Sequence, residues 1–133
     1  MTETCDTSLL VPALLSWHPS HRDARRSLSG IRAIPGHVLL ETYSVLTRLP
    51  APHRIAPSDA GDVLGALRVD VLTLPPKAHR SLVARLATGG VRGGSVYDAL
   101  VGATARHHDL TLLTRDRRAR PTYDLVGVRY SLQ

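Results

Sequence analysis

Along the chain, short apolar or β-prone runs alternate with stretches whose apolar residues recur at helical spacing. Residues 2–5 read as a short strand, polar for a buried one, followed by an apolar helix over 9–15. Pro12 falls early in that helix, where a missing N–H does least harm. His18-Pro19-Ser20 is a break, and 19–28 reads as a polar helix. Residues 31–34 are β-prone, and Pro35-Gly36 opens a longer helix to about residue 49. Three prolines make 50–57 a loop, and Ser58 is the expected N-cap of a helix to about residue 67. Residues 69–74 alternate as a strand, and Pro75-Pro76 starts a helix to about residue 87. Four glycines make 89–94 a flexible turn, 95–108 is a helix, and 111–114 is a short buried strand. A turn of helix over 115–119 and a strand over 127–132 complete the chain. Strands alternating with helices predict an α/β sandwich with a mostly parallel central sheet. Ligands of such sheets sit outside the C-terminal ends of the strands, so residues just after each strand carry the interest.

Size and composition narrow the picture. A chain of 133 residues, 43% hydrophobic and 21% charged, is one globular domain over 1–133. No window approaches the ~18–20 apolar residues of a membrane span, and residues 1–8 lack the basic start and apolar run of a signal peptide. A single cysteine, Cys5, excludes an internal disulfide framework and a Cys-based zinc site. A cytoplasmic protein is the simplest expectation. Seventeen basic residues face 11 acidic ones, a net charge of +6, and all the basic ones but Lys77 are arginines. The planar arginine fork suits phosphate, so a polyanion, nucleic acid first, is the expected partner. The absence of Phe and the scarcity of other aromatics argue against a base-stacking sheet.

With so few acids, each can be weighed. Asp6 lies directly after the first strand, and Asp116 lies two residues after the strand ending at Thr114, so a parallel sheet projects both at one edge. Taken singly, each is better read as the N-cap of the helix that follows. Glu41 borders the apolar stripe of Val38, Leu39, Thr42, Val45, Leu46 and Leu49, at about 100° per residue. Asp98 stands three residues after Ser95, a near capping box, at the start of a helix apolar on almost every face. Together the four can converge at one sheet edge. Crowded, partly desolvated carboxylates repel one another, and a hard divalent cation such as Mg²⁺ resolves the conflict. Such a cation acidifies water and stabilises displacement at phosphorus. An acidic metal site within a basic protein points to phosphodiester cleavage. The alternative is a non-catalytic nucleic-acid- or partner-binding module whose acids are caps.

Asp6-Thr7-Ser8, Glu41, Tyr97-Asp98-Ala99-Leu100 with Gly102-Ala103-Thr104-Ala105, and Leu113-Thr114-Arg115-Asp116-Arg117-Arg118 together resemble the PIN-domain ribonucleases, most closely the VapC toxins of bacterial toxin–antitoxin pairs. The resemblance spans essentially the whole chain in order and spacing. It implies a PIN-like three-layer α/β/α sandwich, Mg²⁺- or Mn²⁺-dependent endoribonuclease activity on structured RNA such as tRNA or rRNA, a cognate VapB-like antitoxin and a homodimer. It assigns Asp6, Glu41, Asp98 and Asp116 as the catalytic and metal-binding quartet, with Thr7 as its supporting hydroxyl. The family's first strand is usually more aliphatic than Thr2-Glu3-Thr4-Cys5. Its aromatic residue a few positions after the last acid is replaced here by Ala119 or a neighbour.

Arg115, Arg117, Arg118 and Arg120 flank Asp116, and Arg92 lies in the glycine-rich turn. These are the expected RNA contacts, holding phosphates beside the acids. His18 and His21 with Asp23 have loose metal-ligand spacing, but Pro19 disrupts it and no further ligand is evident. A phosphoacceptor signalling domain is excluded: Asp6 has no adjacent acid and no lysine follows a late strand.

Overall fold

The computed structural model describes residues 2–133. Its strands are β1 (Glu3–Cys5), β2 (Ala33–Pro35), β3 (Asp70–Leu72), β4 (Thr111–Thr114) and β5 (Tyr130–Leu132). The helices are α1 (Thr7–Leu14), α2 (His21–Leu28), α3 (Gly36–Thr47), α4 (Pro57–Gly65), α5 (Ala78–Thr88), α6 (Ser95–His107) and α7 (Arg120–Val126), with a 3₁₀ turn at Arg117–Ala119. Every strand pairing is parallel. β4 lies between β1 and β5, with Cys5 opposite Leu113 and Thr114 opposite Leu132, and β2 pairs with β3. The backbone ladders form a three-stranded and a two-stranded sheet rather than one continuous sheet. Across the seam, the Thr4 hydroxyl donates to the Ala33 carbonyl at 2.7 Å, so a side chain bridges β1 to β2. That explains a buried threonine in so short and polar a strand. Among the described residues, no helix is long and apolar enough to cross a membrane.

The main core joins Leu9 and Leu10 of α1, Ile34, Val38, Leu112, Leu113, Ala105, Tyr123 and Val126. A smaller cluster of Leu15, Leu46 and Ala60 ties α1 and α3 to α4. Several expected boundaries move. Ser58 does not cap α4: Pro57 occupies the first turn and Ala56 is the N-cap, because a ring-fixed φ suits the first helical turn. Ser95 is already helical and Gly94 is the N-cap of α6, with no side-chain cap bond, so Ser95 and Asp98 form no capping box. The segment 120–126, to which the sequence pattern gives no element, is a helix with Thr122, Tyr123 and Val126 buried. Gly127 ends it in the left-handed region at φ 73°, a conformation that glycine adopts without strain. His18 and His21 do not form a metal pair: His18 Nδ1 accepts from the Ser20 amide, and His21 Nδ1 bonds the Pro12 carbonyl. Cys5 is fully buried, as a small apolar residue would be.

Candidate active site

The C-terminal ends of β1 and β4 are neighbours, and two of the acids stand there. Asp6 leaves β1 and caps α1, accepting from the Ser8 amide at 3.1 Å. Asp116 follows β4 and caps the 3₁₀ turn, accepting from the Arg118 amide at 2.9 Å. Both are therefore caps, as their positions allow, and both sit at the edge where a parallel sheet binds ligands. Asp98, in the first turn of α6, caps nothing. Glu41 of α3 accepts a short hydrogen bond from the Thr7 hydroxyl at 2.5 Å, which ties α3 to the start of α1.

Asp98 lies within the electrostatic reach of the other three acids. The Asp98 carboxyl is pushed up from 3.8 to about 6. Half-burial is the main cause, followed by the negative charges of Asp116, Glu41 and Asp6, with only Arg118 opposing. Asp116 has a cation close by, the exposed Arg118 at 3.6 Å. Among the described residues, Asp6, Glu41 and Asp98 form no salt bridge. Nor, among the described residues, do any three His, Cys, Asp or Glu side chains stand close enough together to hold a metal ion between them.

Asp6 is held differently. It is 6% exposed, and burial raises its carboxyl pKa while its hydrogen bonds oppose that rise. Its Oδ1 accepts from the Ser8 hydroxyl at 2.5 Å as well as from the Ser8 amide; its Oδ2 accepts from Thr114 Oγ1 at 2.5 Å and Tyr123 Oη at 2.6 Å. Ser8 and Thr114 are themselves fixed by the amides of Arg115 and Asp116, at 2.7 and 3.1 Å. Burial and the nearby Asp6 charge push the Tyr123 hydroxyl well above its ordinary range, so it remains a donor. Ser8, Thr114 and Tyr123 are the site's unanticipated members. Asp6 by itself reads as a cap in the sequence, and nothing there joins Tyr123 to Asp6 across 117 positions. Ala119, which stands where the family often carries an aromatic residue, is buried in the same core cluster as Tyr123.

Residues 4–125 match the PIN domain. The chain belongs to the PIN-domain family. Ribonuclease VapC40 of Mycobacterium tuberculosis is 46% identical over 129 residues, 96% of each chain, and Ribonuclease VapC27 of the same species is 42% identical over 92% of this chain and 90% of that one. In fold, the chain is similar to a crystal structure of VapBC2 from Rickettsia felis bound to a DNA fragment from their promoter. The TM-score is 0.68 at 17% identity, with 100% of this chain and 99% of the other covered. The matched PIN-domain span opens inside β1 and closes inside α7, so it holds all four acids, Thr7 and Tyr123.

The five arginines expected to contact RNA differ in their surroundings in this PIN domain. Arg118 reaches Asp116 and bears on Asp98. Arg115 is half-buried and turned to Ser20, to which it donates at 2.7 Å. Arg92, Arg117 and Arg120 are exposed.

Proposed function

We propose that this PIN domain is a divalent-metal-dependent endoribonuclease and the toxin of a toxin–antitoxin pair. The observation that carries the reading is Asp98: a half-buried carboxyl in the first turn of α6, raised first by its burial and then by three other carboxylates, and capping nothing. The rival reading, a non-catalytic binding module with acids as caps, accounts for Asp6 and Asp116 but leaves Asp98 without a role. The relatives named VapC ribonucleases support the toxin reading.

The donor set is all oxygen and suits a hard cation. Mg²⁺ takes one or two carboxylates and keeps several waters, so a finished cage of three side chains is not required. One or two of Asp6, Asp98, Glu41 and Asp116 would hold it directly and the others through its waters. Bound there, Mg²⁺ or Mn²⁺ supplies an acidified water and a positive charge facing the phosphate. The remaining work belongs to the chain. Thr7 orients Glu41 through its short hydrogen bond, and Ser8, Thr114 and Tyr123 orient Asp6. Arg118, with Arg115, Arg117, Arg120 and Arg92, holds the flanking phosphates of a structured RNA such as tRNA or rRNA and screens the acids from the incoming backbone. A cognate VapB-like antitoxin restrains the activity, the toxin acts as a homodimer, and its place is the cytoplasm, where those RNAs are.

The test is cleavage of structured RNA by purified chain freed of antitoxin. Cutting with Mg²⁺ or Mn²⁺ that stops in EDTA is expected. Cleavage that survives thorough chelation contradicts the metal mechanism, and RNA binding without any cleavage favours the rival.

A further inference from the structure

An ionised carboxylate offers about four lone-pair positions. On Asp6 four donors face them: the amide and hydroxyl of Ser8 on Oδ1, the hydroxyls of Thr114 and Tyr123 on Oδ2. A cation approaching Asp6 must therefore displace a donor. Two of the hydroxyls have somewhere else to turn, because Ser8 Oγ and Thr114 Oγ1 lie 3.2 Å apart and either can donate to the other. Tyr123 Oη has no second hydrogen-bond partner among the described residues. Its ring is fully buried and cannot swing to water. The ring's place is set by an unusually close approach of α7 to α6. A Cβ added at Gly102 would stand 2.8 Å from Val126 Cγ2 and 3.1 Å from Tyr123 Cδ1, so only glycine lets α7 lie where Tyr123 reaches Asp6.

We infer that Tyr123 is a positioning residue: it is the fixed donor that keeps the Asp6 carboxylate aimed when the Ser8 or Thr114 hydroxyl yields to a cation. The inference rests on the reading of Asp6 as a metal ligand. Hydrogen-bond partners of ligating carboxylates fix their orientation, and losing one typically costs 10–100-fold in metal affinity or activity.

The test compares Tyr123→Phe, which keeps the ring and removes only the hydroxyl, with Val126→Ala. The second variant removes buried methyls from the same helix at the same contact with α6 and touches no polar group. Mn²⁺ binding to the full chain is followed by electron paramagnetic resonance without RNA, thermal melting reports stability, and cleavage kinetics report kcat and KM. Tyr123→Phe should weaken Mn²⁺ binding and lower kcat, each by about 10–100-fold. Its KM for RNA should change little, because no RNA contact is touched. Val126→Ala should melt at a lower temperature yet keep wild-type Mn²⁺ affinity and kcat in its folded fraction. Mn²⁺ affinity and kcat unchanged in Tyr123→Phe would overturn the inference alone, as would losses in both variants that merely track melting temperature. A wild-type chain that binds no Mn²⁺ would overturn the metal reading along with it.

Discussion

Asp6 and Asp98 carry the same side chain at the same end of the fold, yet their surroundings differ in kind. Asp6 is buried and held by four donors from Ser8, Thr114 and Tyr123. Asp98 is half-exposed, caps nothing, and lies in the field of three like charges. In the first case the protein has arranged neutral dipoles around a carboxylate so that it stays in one orientation. In the second it has left a carboxylate half-desolvated and under repulsion, with Arg118 opposing the rise in its pKa. Residues under such strain persist where a bound group removes it. Under the proposed function, the contrast would separate two jobs: a fixed point of attachment at Asp6, and an open, charged face at Asp98 for a cation and a phosphate.

The largest effect expected from this contrast is on chemistry. Asp98→Asn should reduce RNA cleavage to background while the protein stays folded, checked by cleavage assay and circular dichroism together. Cleavage near the wild-type level would remove Asp98 from the reaction and return it to the surface. Next in size is stability without metal, where the two acids should move in opposite directions. Asp6→Ala strands buried donors and should cost roughly 2–4 kcal/mol in urea unfolding, by the penalty for unsatisfied buried groups. Asp98→Ala relieves repulsion and should raise stability in EDTA. If both variants lose stability alike, the distinction fails.

The pH dependence of that gain follows from its sign. A carboxyl raised to about 6 in the folded chain binds its proton more tightly folded than unfolded. Its stabilising contribution is complete below about pH 4, the ordinary carboxylate range, and is lost as pH rises through 6. The stability advantage of Asp98→Asn over wild type in EDTA should therefore open between those values. It should reach about 1 kcal/mol above them, allowing for solvent screening of a half-exposed group. A gap independent of pH would contradict the charge origin. The smallest effect concerns the open face. Arg117→Ala with Arg118→Ala, in an Asp98→Asn background that does not cut, should flatten the log–log salt slope of RNA binding by about 1.4, near 0.7 per single-strand phosphate contact. An unchanged slope would put both arginines outside the RNA path.

The order of strands and helices was legible because strand–helix alternation is a local pattern, and Asp6 and Asp116 were legible because they stand just after strands. α7 was not. Its sequence Arg-Pro-Thr-Tyr-Asp-Leu-Val has no sustained apolar period, and the burial of Thr122, Tyr123 and Val126 depends on a surface that α6 supplies at Gly102. Missing α7 meant missing Tyr123. Ser95 with Asp98 reads as a capping box only if the serine is non-helical, and the helix begins one residue earlier than that. Neither Ser8, before the expected helix, nor Thr114, at the end of a strand, stands out locally, because the carboxylate they share, Asp6, is bound across the sheet edge.

The central claim is that the four carboxylates act as one cation site. Its most direct measurement is Mn²⁺ titration of the RNA-free chain, with wild type and Asp98→Asn melted side by side. A ligand that binds only the folded state raises the melting temperature with concentration. Wild type should melt progressively higher as Mn²⁺ is added, while Asp98→Asn, already relieved of repulsion, should start higher and respond much less. A wild-type melting temperature indifferent to Mn²⁺, or an equal rise in both chains, would contradict the account.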